Sequence, residues 1–190
     1  MAKTKSSFLN MVVTLAIITI ISALAVTAIY LATKDPIAIA QKNKQEKAIK
    51  EVIPDFDNLE IKKVTTSEGE TITINKGLKD GQLVGYAVES YSKKGYDPTL
   101  IIVMVGFKPN GEIINTAVVQ QKETPGLGTK MVEPFFKDQF NSKNPSSFNI
   151  KVKKDGGDVD AITAATISSR AFCDAVDRAY NVLIKEGEIK

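Results

Sequence analysis

A long uncharged stretch near the N-terminus constrains this chain more than any other feature of its sequence. No charged residue occurs between Ser6 and Thr33, and Ile, Leu, Val and Ala dominate the range. About 20 apolar residues are enough for a helix to cross the hydrocarbon core of a bilayer. The stretch therefore predicts a transmembrane helix which, together with a short tail before it, occupies residues 1–33.

A cleaved signal peptide is the alternative reading of this stretch, because Ala23-Leu24-Ala25 resembles a cleavage site. The apolar region of a signal peptide, however, is only about 7–15 residues long, so we expect an uncleaved anchor. Lysines precede the stretch and also follow it closely. Charge counting therefore does not decide which end of the helix lies in the cytoplasm.

Composition excludes several classes of function. The chain has 25 Lys and Arg against 22 Asp and Glu, which gives a net charge of +3. Proteins that bind nucleic acids are usually more basic, so this function is not expected. It has no His, and its one Cys is Cys173. These absences remove His-dependent catalysis, disulfides within the chain and clusters or metals bound through His or Cys. We expect no metal site, so any redox chemistry requires an organic cofactor.

The remainder of the chain predicts an α+β fold with an antiparallel sheet and flanking helices. Apolar residues near helical spacing predict an amphipathic helix from Pro36 to just before Pro54, within a connecting segment at 34–55. A single domain at 56–190 follows. Its strand-like segments are "LEIKKVTT", "ETITINKG", "QLVGYAVESYS", "TLIIVMVGF" and "EIINTAVVQQ".

Three further predictions concern how these segments connect and end. Asn110-Gly111 between the last two apolar runs predicts a hairpin, and the apolar run "LIIVMVGF" predicts a central strand covered on both faces. "VEPFFKDQF" predicts a short helix, and "FNIKVKK" predicts one more strand. Helical spacing of apolar residues predicts a long final helix from Thr166 to about Lys185.

The stretch "KETPGLGTK" (122–130) is the first candidate for a binding loop. Gly126 and Gly128 begin like a dinucleotide fingerprint, but Met131 stands where the third glycine would fall, so a Rossmann site is excluded. The stretch could be a plain Pro-Gly turn. Alternatively, its two glycines give a backbone that a flat ring could approach closely.

The stretch "DAITAATISS" (160–169) is the second candidate, because it places four hydroxyls at the start of the final helix. The free N–H groups and positive dipole end of a helix form a site for an anion. An N-cap with more hydroxyls than it needs is the alternative.

The acidic run "DGGDVD" lacks the spacing of an EF-hand loop, and we interpret it as a polar turn.

Taken together, "ETPGLGTK" and D-x-x-T-A-A-T-x-S-S resemble the FMN-binding domain of the G subunit of Rnf electron-transport complexes. The domain is also similar to the C subunit of sodium-pumping NADH:quinone oxidoreductase. The resemblance implies FMN bound covalently, through its phosphate, to the hydroxyl of Thr166. It also implies a flavin transferase that recognises Asp160. Ala164 stands where the family commonly has Gly, and Phe135 and Phe136 stand where it has aromatic residues, often Trp.

The resemblance also implies which further residues surround the cofactor. They come from the two motifs: Thr163, Ala164, Ala165, Ser168 and Ser169, and Glu123, Thr124, Gly126, Leu127, Gly128 and Lys130. The implied protein relays electrons inside an ion-translocating ferredoxin:NAD⁺ oxidoreductase, in contact with its other subunits, and its FMN domain lies on the extracytoplasmic side of the inner membrane. The alternatives are a subunit of the quinone reductase, a stand-alone anchored flavoprotein, and a binding module without flavin.

Overall fold

The computed structural model describes residues 8–53 and 55–189. The predicted N-terminal tail falls largely on residues 1–7 and the predicted helix stop on Pro54, both outside the described residues. In chain order the regular elements are α1 (Phe8–Val52), β1 (Asn58–Thr65), β2 (Thr71–Lys79), β3 (Gln82–Ser92), β4 (Ile101–Phe107), β5 (Ile113–Gln120), α2 (Pro134–Lys137) and α3 (Thr166–Lys185). Short 3₁₀ helices at Gly128–Val132, Asp138–Phe140 and Lys153–Asp155 lie between them.

Helix α1 contains the one described segment that is long and apolar enough to cross a membrane. Its side chains from Phe8 to Lys47 are exposed, as expected for a helix whose solvent is lipid along its apolar part. We expected a second helix to begin at Pro36, but the structure has Pro36 inside α1. Proline removes one hydrogen bond from a helix interior without always ending the helix. The chain divides into compact units at 1–43 and 44–190.

The five predicted strands form one antiparallel sheet in the order β1-β2-β3-β4-β5. Each strand pairs with the next along the chain, so the sheet is a simple meander. The predicted hairpin between β4 and β5 is confirmed: Gly111, at φ +83°, donates its N–H to the carbonyl of Lys108. A positive φ is the conformation that glycine adopts without strain.

Both faces of the sheet are covered at β4, as its continuous apolarity predicts. Ile101, Val103, Val105 and Phe107 join the main core, which packs against α3 and includes Phe172. On the other face, Met104 packs with side chains from the end of α1, including Val52 at 0% exposure. The sheet therefore separates two hydrophobic layers, and α3 is fixed against the larger one.

The prediction of a strand at "FNIKVKK" was wrong. Ile150 and Val152 are buried alternately, as in a strand, but Val152 forms only an isolated bridge with Val159. The segment satisfies its polar groups locally, since the Asn149 side chain donates to the carbonyl of Gly156 at 3.0 Å and its N–H reaches Asp158 Oδ2 at 2.8 Å. It is therefore a compact loop that leads the chain towards α3.

Candidate functional site

A cleft of about 510 Å³ lies where the segment after β5 meets the start of α3. A volume of this size is ordinary for a cofactor site. Both sequence motifs contribute to its walls, although they are separated by about forty residues of chain. The lining residues are Tyr96, Glu123, Thr124, Leu127, Gly128, Ala164, Ala165, Thr166, Ile167 and Ser168.

The carboxylate of Glu123 connects three segments around this cleft. Glu123 is 3% exposed, and its Oε1 accepts the N–H groups of Tyr96 at 2.9 Å and Asp97 at 3.3 Å. Its Oε2 accepts the hydroxyl of Ser168 at 2.5 Å. A buried carboxylate is tolerated when its oxygens are hydrogen-bonded in this way. The loop after β3, the segment after β5 and the first turn of α3 therefore share one buried anchor.

Gly128 is required by this packing. A Cβ at this position would collide with the Ser168 hydroxyl and would lie 2.7 Å from both Cβ and Oε2 of Glu123. Gly126 differs, because it has φ +75° and open space around it. The two glycines of "PGLG" therefore have different roles: Gly126 allows the turn, and Gly128 allows a close approach to α3.

The N-terminus of α3 presents backbone donors to the cleft. Ala165 is the N-cap residue, and no side chain caps the helix there. Instead, the Ser169 hydroxyl accepts the N–H of Ile162 at 2.9 Å and donates to the carbonyl of Ala165 at 3.0 Å. A helix without a side-chain cap leaves N–H groups and a partial positive charge at its first turn. Thr166 is the first residue of that turn.

Apolar side chains stand exposed at the same cleft. Tyr96 is 71% exposed, Ile167 46% and Leu127 39%. Exposed apolar side chains that gather around a concave site are typical of ligand-binding walls. The cleft therefore combines an anion-favouring helix end with apolar surface suited to a flat ring.

The structure brings most of the predicted site residues to the cleft, but four of them do not line it: Thr163, Gly126, Lys130 and Ser169. Thr163 is exposed, and Ser169 is fully buried with its hydroxyl engaged in holding the turn before α3. Tyr96 and Ile167 line the cleft although sequence reasoning did not select them. Ile167 lies inside the second motif and could have been found from that position; nothing local marks Tyr96.

The backbone of Asp160 is fixed by one side chain. Gln139 Oε1 accepts the N–H of Asp160 at 2.8 Å, and Gln139 Nε2 donates to its carbonyl at 3.1 Å. The Asp160 carboxylate pairs with Lys153 at 2.8 Å and is largely exposed. The start of the second motif is therefore held in place while its carboxylate stays accessible from solvent.

Comparisons with known proteins identify the relatives of this chain. The sequence family of the FMN-binding domain matches residues 95–181. The chain is 34% identical to the G subunit of the ion-translocating oxidoreductase complex of Haemophilus influenzae (strain PittEE), over 87% of this chain and 83% of that protein. It is 31% identical to the protein of the same name from Methanosarcina acetivorans, over 94% and 96% of the two chains. The crystal structure of Shewanella oneidensis NqrC is similar over 71% of this chain and 73% of that chain, with 19% identity and a TM-score of 0.47. The chain belongs to the family of G subunits of ion-translocating oxidoreductase complexes.

Proposed function

We propose that this chain is a membrane-anchored flavoprotein subunit that relays electrons through FMN within an Rnf-type ferredoxin:NAD⁺ oxidoreductase, coupled to translocation of Na⁺ or H⁺. The cleft supports this proposal, because two motifs about forty residues apart line it together and Thr166 lies at the first turn of α3. The absence of His and the lone Cys173 leave the redox step to an organic cofactor.

The residues around the cleft suit FMN. The uncapped first turn of α3 offers N–H donors and a positive dipole end to a phosphate, a contribution of about 0.3–1 kcal/mol at an exposed site. Leu127, Ile167 and Tyr96 offer apolar contact to a ring system, and Gly128 allows Ser168 and Glu123 to pack closely at the cleft. FMN bound here would supply reversible electron transfer, and the protein would supply its position and surroundings.

We propose that the phosphate of FMN is esterified to the hydroxyl of Thr166. In this reaction a bond forms between Thr166 Oγ1 and phosphorus, and the hydroxyl proton is released. The phosphoanhydride bond of an activated FMN donor breaks and the rest of the donor leaves as a phosphate monoester, so that the chain gains FMN less one water. A flavin transferase would catalyse the step and recognise Asp160, whose carboxylate is exposed.

We also propose the place of the protein in its complex. Helix α1 would anchor the chain in the inner membrane, where its neighbours would be the other membrane and soluble subunits of the complex. The FMN domain would lie on the extracytoplasmic side. A covalent bond would keep the cofactor on a protein that works where free FMN would be lost by dilution.

The substitution Thr166→Ala tests the proposal. The full chain is produced with a flavin transferase and purified from membranes in detergent. We expect the unsubstituted chain to be yellow under denaturing conditions and to carry one FMN less one water, on the peptide containing Thr166. Thr166→Ala should carry none. Thr163→Ala is the matched control, because Thr163 is an exposed hydroxyl of the same motif outside the cleft, and it should retain the flavin.

Two outcomes would contradict the proposal. Covalent flavin that persists in Thr166→Ala would place the bond elsewhere. A colourless unsubstituted chain, from cells in which the transferase modifies another target, would favour a binding module without flavin. Subunits that copurify with the full chain distinguish the ferredoxin-linked complex from the quinone reductase and from a stand-alone flavoprotein.

A further inference from the structure

We infer that Glu123 is a positioning residue that fixes the walls of the cleft and lowers the midpoint potential of the FMN bound there. The inference rests on the proposed function, because it requires FMN in the cleft. Glu123 is the one carboxylate in the lining of the cleft, and it is 3% exposed.

The contacts of Glu123 define the shape of the cleft. Its two oxygens accept three hydrogen bonds, from the N–H groups of Tyr96 and Asp97 and from the hydroxyl of Ser168. Each carboxylate oxygen therefore has at least one donor. Gly128 packs closely against the carboxylate, since a Cβ there would meet Glu123 Oε2 at 2.7 Å. The carboxylate therefore has little freedom to move away from the cleft.

The hydrogen-bond partners of the Glu123 carboxylate are neutral donors. Among residues 8–53 and 55–189, no Lys or Arg forms an ion pair with Glu123. Its compensation comes from hydrogen-bond dipoles and from the first turn of α3, where Ser168 lies. Dipoles reduce the field of a charge but leave its sign, and that field is only weakly screened in a buried site.

This charge has a defined effect on a cofactor in the cleft. Electrons accepted by FMN bound in this cleft would add negative charge to a site that the carboxylate lines. Like charges disfavour each other. Reduction is therefore less favourable than it would be beside a neutral group. A charge near the reactive part of a cofactor is one of the ways in which a protein sets its potential. Glu123 would thus influence both the shape of the cleft and the midpoint potential of FMN bound in it.

The substitution Glu123→Gln tests this inference. It keeps the length of the side chain and an oxygen that accepts both N–H groups, but it removes the charge. We expect a midpoint potential more positive than that of the unsubstituted chain, measured by spectroelectrochemical titration of the flavin absorbance in the purified full chain. Glu133→Gln is the matched control, because Glu133 is an exposed carboxylate outside the cleft lining. It should leave the potential unchanged.

A second variant, Ser168→Ala, makes the test independent of whether Glu123→Gln folds and takes up flavin. It keeps the charge and removes the hydroxyl that partly compensates it, so the midpoint potential should move in the opposite direction, to more negative values. Measured by the same titration at one fixed pH, these opposite shifts would not arise from loosening of the cleft alone, which would move both variants alike.

Each result decides the inference. An unchanged potential in a flavin-loaded Glu123→Gln, or a shift equal to that of Glu133→Gln, would overturn it. If Glu123→Gln carries no flavin, a potential in Ser168→Ala that is unchanged or more positive would overturn it instead. The mass of the unsubstituted chain separates the two levels: absence of FMN there contradicts the proposed function, whereas its presence with unshifted potentials contradicts only the role of Glu123.

Discussion

At the scale of single residues, Ala164 occupies a backbone conformation that does not suit alanine. It lies at φ +62°, immediately before the N-cap residue of α3. A left-handed conformation costs an L-residue about 1–2 kcal/mol, and glycine adopts it without that strain. Glycine loses more chain entropy on folding, which offsets part of the gain. We therefore expect Ala164→Gly to raise the free energy of unfolding by about 0.5–1 kcal/mol, measured by urea denaturation.

Ala165 provides the control for this prediction. Its φ is −131°, outside the left-handed region, and it is buried. Ala165→Gly should lower the free energy of unfolding by about 0.5–1 kcal/mol, since glycine adds entropy to the unfolded chain and removes a buried methyl group. Equal effects of the two substitutions would show that strain at residue 164 is not the cause. The positive φ of Ala164 would then carry no energetic consequence.

Gly126 and Gly128 allow a second comparison between backbone strain and lack of space. Gly128→Ala places a Cβ against Ser168 and Glu123, so we expect a loss of about 1–3 kcal/mol in the free energy of unfolding. Gly126→Ala meets no atoms and carries only the strain of its positive φ, about 1–2 kcal/mol. Unfolding alone does not separate them well, but flavin loading does. Gly128→Ala should reduce covalent FMN, measured by intact mass, whereas Gly126→Ala should leave it nearly unchanged.

At the scale of elements, Asp174 attaches α3 to the end of β3. Its carboxylate accepts hydrogen bonds from Ser92 at 2.8 Å, Lys94 at 2.6 Å and Arg178 at 3.1 Å. Burial alone would raise the pKa of Asp174, but these donors hold it below its ordinary value of 3.8. A lowered pKa in the folded state means that the stabilisation is present above that ordinary value and is lost as pH falls through the folded pKa.

We therefore expect Asp174→Asn to lower the free energy of unfolding at pH 7 by about 1.5–3 kcal/mol, the range for hydrogen bonds to charged groups. The difference from the unsubstituted chain should shrink below about pH 4. Asp177 is the matched control one turn along α3, because burial and the charge of Asp174 raise its pKa. Asp177→Asn should cause no comparable loss at pH 7. Denaturation series at several pH values measure both, and equal losses would contradict the assignment.

Local patterns predicted most elements, and long-range contacts explain those that the sequence did not reveal. Alternation and turn residues were sufficient for β1–β5, because each strand pairs with its neighbour in the chain. The alternation of Ile150 and Val152 was also real, yet the donors of that segment find partners within its own loop. Periodicity reports which side chains are buried but not which backbone groups pair.

The same distinction applies to the candidate site. The two motifs could be selected from residue types, since a Gly-rich turn and hydroxyls before a helix have local physical meaning. The use of the hydroxyl of Ser169 to hold the turn at Ile162, rather than to face the cleft, depends on packing that has no local signal. Tyr96 reaches the cleft because Glu123 holds its backbone from a distant segment. Contacts between remote segments are what sequence patterns alone do not encode.

At the scale of the whole molecule, the last residues of α1 and Ile53, which follows the helix, belong to the core of the C-terminal compact unit. Ile49, Val52 and Ile53 are buried against the face of the sheet opposite α3. The contact is close: a Cβ on Gly106 would collide with the backbone carbonyl of Val52. The compact unit begins at Lys44. A stable fragment should therefore include the end of α1, although the predicted FMN domain begins at residue 56.

Two fragments test this boundary. A fragment of residues 44–190 should unfold cooperatively in urea. A fragment of residues 56–190 lacks Ile49, Val52 and Ile53. Burial of each contributes about 1.5–3 kcal/mol, so the fragment should lose about 4.5–9 kcal/mol in the free energy of unfolding. Because domains are stable by only about 5–15 kcal/mol, the shorter fragment should be partly or wholly unfolded and expose apolar surface that binds a fluorescent dye. Ile53→Ala in the longer fragment isolates one contact and should cost about 2–5 kcal/mol. Equal stability of the two fragments would mean that the sheet does not need this cover and that the domain begins after α1.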